Sequence, residues 1–154
     1  MANGMTNKGK YKLLGWAFRG TTIPTNFYLA LVTSAVAPTV DINTLGELTE
    51  IADTQGYTEG GYQLTPGGTD FDVWTEDDEN DRALVQLKDI AWTADGGNLP
   101  ESGDGARYAV LTDDNVTVGS REVYDWWDLI SDRTVSDGQS LTLQDAEIRL
   151  STPA

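Results

Sequence analysis

The stretch Asn26-Phe-Tyr-Leu-Ala-Leu-Val-Thr-Ser34 decides the fold. It alternates with a period of two. Phe27, Leu29 and Leu31 point one way; Tyr28, Ala30 and Val32 point the other. Both faces are apolar, so the strand belongs in the middle of a layered structure rather than at a wet edge. Working outward, further strand-like runs follow in "GGYQLT", "DFDVW", "ALVQLKDIAW", "RYAVLT", "EVYDWWDLI" and "SLTLQDAEIRL", with "ELTEIA" as a weaker, edge-like one. Asp89 interrupts the third of these, where a bulge is expected. The last run breaks its alternation at Gln144–Asp145. Between them lie "TSAVAPT", "TPGG", "EDDEND", "DGGNLPESGDG" and "SDGQ", all turn chemistry. Short strands at this spacing predict a mainly β chain, an antiparallel β-sandwich of Greek-key or jelly-roll type.

One helix precedes it. Thr6 or Asn7 can cap it, Tyr11, Leu14 and Phe18 form one stripe that Leu13 and Ala17 broaden, and Gly20 stands where a C′ glycine belongs. The chain therefore divides into a basic helical docking segment, residues 1–25, and a β-sandwich body, residues 26–154.

The 154 residues are enough to bury a core without staples. The chain has no cysteine and no histidine, which excludes disulfides, thiol chemistry, histidine bases and the usual zinc sites. No apolar run of membrane-spanning or signal-peptide type occurs, so synthesis and assembly in a cytoplasm are expected. The formal net charge is −15, unevenly placed. Residues 1–40 hold Lys8, Lys10, Lys12 and Arg19 and no acid, a charge of +4; the rest holds 25 acids and 6 bases, −19. An acidic body disfavours nucleic acid. A basic leader on an acidic body suggests docking. The three lysines crowd the N-terminal half of the helix, where its dipole disfavours cations by roughly 0.3–1 kcal/mol each in the first turn. An acidic neighbour, the chain's own body or a partner, would offset that.

Catalytic and metal signatures are lacking. In the acidic run Asp77–Asp81, the EF-hand pattern counted from Asp77 meets Arg82 at position six and Lys88 at position twelve, where glycine and glutamate are required. The run, with Asp77, Asp78 and Asp81, reads as a solvated hairpin turn. With 25 acids, a carboxylate pair at glycosidase spacing arises by chance. No nucleophile elbow, P-loop or dinucleotide fingerprint is present. No cofactor is expected. In "YDWWDL" adjacent tryptophans must point to opposite faces, so one of Trp126 and Trp127 belongs to the core and the other shows, as an interface anchor or a sugar-stacking platform unless the N-terminal segment covers it. Trp74 and Trp92 end strands and are expected in the core or at its rim.

The runs "NFYLALVTS", "LGELTEI", "GYTEGGYQLT", "KDIAWTADGG", "GARYAVLTDDN" and "DRTVSDGQSLTLQDAEIRL" together resemble a family of small phage virion proteins, over about Tyr11 to Leu150. The acidic run and the tryptophan pair lie outside the matching features. The resemblance implies a non-enzymatic structural protein of the virion, assembled in the bacterial host cytoplasm. In first place it implies a capsid decoration, or cement, protein binding the outside of the major capsid protein shell and copies of itself, with a trimer favoured. A tail, neck or tail-fibre component that recognises a receptor or a host-surface glycan is the alternative. A free carbohydrate-binding module using Trp126 or Trp127 is a third reading. No nucleic acid or membrane partner is implied. The residues expected to meet a partner are Lys8, Lys10, Tyr11, Lys12, Leu14, Phe18, Trp126 and Trp127.

Overall fold

The structure, a computed structural model, describes residues 1–151; the last three residues of the expected body lie outside them. In chain order it runs β1 (Asn3–Met5), α1 (Asn7–Phe18), β2 (Phe27–Val32), β3 (Tyr62–Leu64), β4 (Val73–Asp77), β5 (Arg82–Gln86), β6 (Ile90–Thr93), β7 (Ala106–Thr112), β8 (Val123–Arg133), β9 (Ser140–Leu143) and β10 (Glu147–Ser151). One layer is a five-stranded sheet in the order β1-β8-β7-β2-β3. The other is built from β10-β5-β4 and β6-β9. Every strand pairing is antiparallel. The fold is the antiparallel β-sandwich with one N-terminal helix that the alternation predicts.

The two short sheets of the second layer are one bent ladder. β5 leads into β6 while β9 leads into β10, and across the bend the Leu87 N–H still bonds the Ala146 carbonyl at 2.9 Å. The break falls near Asp89 and at Gln144–Asp145, where the sequence loses its alternation. Asp145 takes a left-handed conformation, φ 52°. That bend lets Leu87, Ile90, Trp92, Leu141 and Leu143 close over Leu29, Leu31, Leu111 and Trp127 of the first sheet. Each such side chain contributes about 1.5–3 kcal/mol when fully buried.

β2 is central, between β7 and β3, and apolar on both sides for a visible reason. Its outward residues Ala30 and Val32 join Val110 and Val123 under a lid formed by Leu45 and Leu48 of the long β2–β3 connection. "ELTEIA" lies in that lid. It is not the edge strand expected: Leu45–Glu47 forms a single 3-10 turn, and the segment touches the sheet through an isolated bridge from Glu50 to Val32. Its apolar residues part company: Leu48 joins the lid, while Ile51 enters the core between the two layers, its N–H bonded to the Leu31 carbonyl at 3.0 Å.

The N-terminal segment is woven into this body. β1, which the sequence pattern does not reveal, pairs with β8 along the edge of the main sheet. The turn from β1 into α1 rests on Thr6, which is fully buried. Its hydroxyl accepts from the Gly9 N–H at 2.9 Å as the helix N-cap and donates to the Val123 carbonyl at 2.6 Å. The Thr6 N–H donates to the Tyr124 carbonyl at 3.0 Å. Tyr124 is the extra residue of a bulge in β8: Leu111 faces Asp125 and Thr112 faces Val123, so Tyr124 has no partner on β7. The helix approaches this bulge so closely that a Cβ on Gly9 would stand 2.3 Å from the Tyr124 oxygen. At the far end Gly20 ends the helix with φ 63°, as a C′ glycine should.

Gly9→Ala tests that approach. In a free helix the change would stabilise by about 1 kcal/mol. Here overpacking against backbone should reverse the sign and destabilise by about 1–3 kcal/mol, read from the urea midpoint. Thr6→Ala should cost about 2 kcal/mol through the lost cap and the orphaned carbonyl.

Candidate interaction face and groove

The helix has two unlike sides. On the inner side Lys8 and Lys12 reach Glu122, at 3.6 and 2.8 Å. Burial works to raise the Glu122 carboxyl, but the two lysines outweigh it and hold it below the usual carboxylate range. The acidic neighbour that offsets the helix dipole is thus, for these two lysines, the chain's own body. Trp16 sits on the same side, edge-on to Tyr124 and Phe27 at 5.5 and 6.0 Å between ring centres. On the outer side Tyr11, Leu14 and Phe18 are 72%, 59% and 79% exposed. Lys10 is exposed beside them and has no ion pair among the described residues. Of the eight residues expected to meet a partner, the structure gathers Lys10, Tyr11, Leu14 and Phe18 on one free face and turns Lys8 and Lys12 inward.

The tryptophan pair does not join that face. Trp127 is a correction: it lies in the central core, 1% exposed, its indole N–H donating to the Glu147 carbonyl at 3.2 Å, and it offers no surface to a partner. Trp126 is half-buried on the opposite side of β8, edge-on to Tyr108, its ring leaning across Gly4 of the neighbouring strand β1. A Cβ on Gly4 would meet its ring at 2.9 Å. The exposed tryptophan is Trp74, expected in the core or rim and in fact 88% exposed. The signal was in the alternation: Trp74 shares its parity with Asp72 and Glu76, the acid side of β4. Trp92 is buried as expected.

Trp74 stands at the mouth of an apolar groove of about 410 Å³. One wall is the inner side of α1, with Leu13 and Trp16. The other is the face of the β10-β5-β4 sheet, where Trp74, Val85 and Ile148 share one cross-strand row. Asp125 lines the floor, between Met5 on β1 and Leu111 on β7 in the strand register. It is 1% exposed. One carboxylate oxygen accepts the Trp126 N–H at 2.8 Å; the other, Oδ2, is buried and has no hydrogen-bond partner among the described residues. Burial pushes this carboxyl up to about 7, against the pull of the Trp126 and Gly4 N–H groups and the Arg149 charge. Parity places Asp125 with Trp127 and Leu129 on a core face, so its burial too was legible from "YDWWDL".

The acidic run is a hairpin turn between β4 and β5. Asp77 accepts from Asn80 and pairs with Arg82 at 2.7 Å, and Asp81 adopts a left-handed conformation, φ 50°. Among the described residues no three acidic side chains converge as a metal site would require, and no helix is long and apolar enough to cross a membrane. Comparison with family models, curated proteins and solved structures gives no match to the chain.

Asp125 should shape the pH dependence of stability. Its folded pKa lies above the unfolded value of about 3.9, so its neutral form favours the fold. Its contribution is fully present below about pH 4 and is lost as pH rises toward and past 7, by up to about 4 kcal/mol at the exchange rate of 1.36 kcal/mol per pKa unit. Asp125→Asn removes the titration. Urea unfolding of the two proteins between pH 4 and 8 should show the variant gaining on the wild type as pH rises, while the Glu122 contribution, lost only on acidification, stays common to both.

Proposed function

We propose that the chain is a non-enzymatic accessory protein of a phage virion, a capsid decoration protein that binds the outside of the major capsid protein shell in many copies. The observation that carries this reading is the outward stripe of α1: three large apolar side chains, Tyr11, Leu14 and Phe18, beside the exposed Lys10. Contiguous exposed apolar residues on a rigid element suit a protein–protein contact. Their burial would supply on the order of 1.5–3 kcal/mol each before the cost of association is subtracted. Lys10 would add steering and register toward an acidic patch of the shell, an effect that salt weakens. The resemblance of the strand and turn runs to small phage virion proteins supports the same reading, as does the lack of histidine and cysteine chemistry. Contacts among copies of the chain, a trimer in first place, would accompany the contact with the shell.

A second reading is a tail, neck or tail-fibre component that recognises a host-surface glycan. It is favoured by one observation, the 88% exposure of Trp74, whose ring is free to stack on a sugar. Copy number separates the two: hundreds per particle for the shell, roughly three to a dozen for tail or neck.

Leu14→Glu and Phe18→Glu both lie on the free face and should leave folding unchanged. Each should lower occupancy on particles by about tenfold or more, counted by quantitative mass spectrometry of purified virions after rebinding. Undiminished occupancy in both variants would rule out this face as the contact.

A further inference from the structure

The groove between α1 and the β10-β5-β4 sheet is independent of the docking stripe, which lies on the opposite side of the helix. Its volume, about 410 Å³, is of small-molecule size. Its lining is apolar and aromatic, and Asp125 is the one charged side chain among the described residues that line it. A carboxylate oxygen buried without a partner is costly, and groups in native proteins that lack one need a reason. Here the unpaired oxygen belongs to a residue on the floor of a groove whose walls present the rings of Trp16 and Trp74, surfaces that attract cations.

We propose that this groove binds a small apolar molecule carrying one protonated amine, its alkyl or aryl body held between Trp16 and the Trp74–Val85–Ile148 row and its ammonium donating to Oδ2 of Asp125. A carboxylate ligand would meet like charge at the floor. A purely apolar ligand would leave Oδ2 unpaired. An amine satisfies both the apolar walls and the lone acceptor. The proposal rests on the groove alone and stands or falls apart from any role on a virion.

The test titrates the full chain with n-hexylamine, n-hexanol and n-hexanoate, following tryptophan fluorescence and the heat of binding. One hexylamine should bind per chain, about tenfold or more tighter than hexanol, the scale of a hydrogen bond to a charged group, and hexanoate should bind more weakly than either. Asp125→Asn should abolish the preference for the amine and leave hexanol affinity within about twofold. If that variant does not fold, Leu150→Arg serves instead. Leu150 is 49% exposed at the groove mouth, and a guanidinium there should repel the amine while sparing hexanol. Equal affinity for amine and alcohol, an amine preference that survives in the variant that folds, or binding that does not saturate at one per chain would each overturn the proposal.

Discussion

Everything distinctive in this molecule follows from how the start of the helix is fastened to the bulge in β8. Thr6 caps the helix and bonds the Val123 and Tyr124 carbonyls, and Gly9 lets the helix backbone press on the same bulge. Those bonds fix the rotation of α1 about its axis. Once that rotation is fixed, Lys8 and Lys12 must face Glu122, Trp16 must meet Tyr124 and Phe27, and Tyr11, Leu14 and Phe18 must face water. A helix held only by a greasy stripe would have turned that stripe inward. Here buried hydrogen bonds and a glycine contact hold it instead, and the apolar stripe is left over. The same bulge resets the parity of β8, placing Val123 under the outer lid while Asp125 and Trp127 face the inner layer.

The charge split of the sequence has a corresponding division of labour. A leader of +4 on a body of −19 suggested a segment reaching for another molecule. Two of its four cations, Lys8 and Lys12, instead share Glu122 of the chain's own body, which offsets the dipole penalty at Lys8 and leaves it standing at Lys10. Lys10 and Arg19 are left facing outward, so the electrostatic component of any docking is smaller than the sequence implies and the apolar component is larger. The segment is also not a detachable arm. With β1 completing the edge of the main sheet, removing it would leave the β8 edge unpaired and take Met5 from the groove lining.

How much of this was legible depends on whether the determinant is local. The double-sided alternation of Asn26–Ser34, the turn clusters, the cap at Thr6 and the C′ glycine at Gly20 are all short-range signals, and each lies where the sequence pattern puts it. The breaks at Asp89 and Gln144–Asp145 were visible as faults in alternation, though not as the bend that folds one ladder over the core. β1 is three residues, "NGM", held by pairing to residues more than a hundred positions away, and no local pattern marks it. "ELTEIA" makes only one bridge to β2, and its two apolar residues divide between the outer lid, Leu48, and the inner core, Ile51. The candidate residues divide in the same way. The stripe on α1 was readable by helical spacing; which way it faced was not, because that depends on Thr6 and Gly9 meeting a bulge far along the chain. Trp74 and Asp125 were readable by parity alone, one with the acids of β4 and the other with the core side of β8. Their convergence on one groove depends on the layer geometry and had no sequence signal.

The most direct test of the central claim is an image of decorated particles by electron cryomicroscopy at a resolution that shows helices. The account predicts many copies per shell, each laying α1 against the capsid with Tyr11, Leu14 and Phe18 in the contact and the Thr6–Tyr124 junction intact. Copies bound through another face, with that stripe in solvent, or an absence of the protein from the shell, would contradict it.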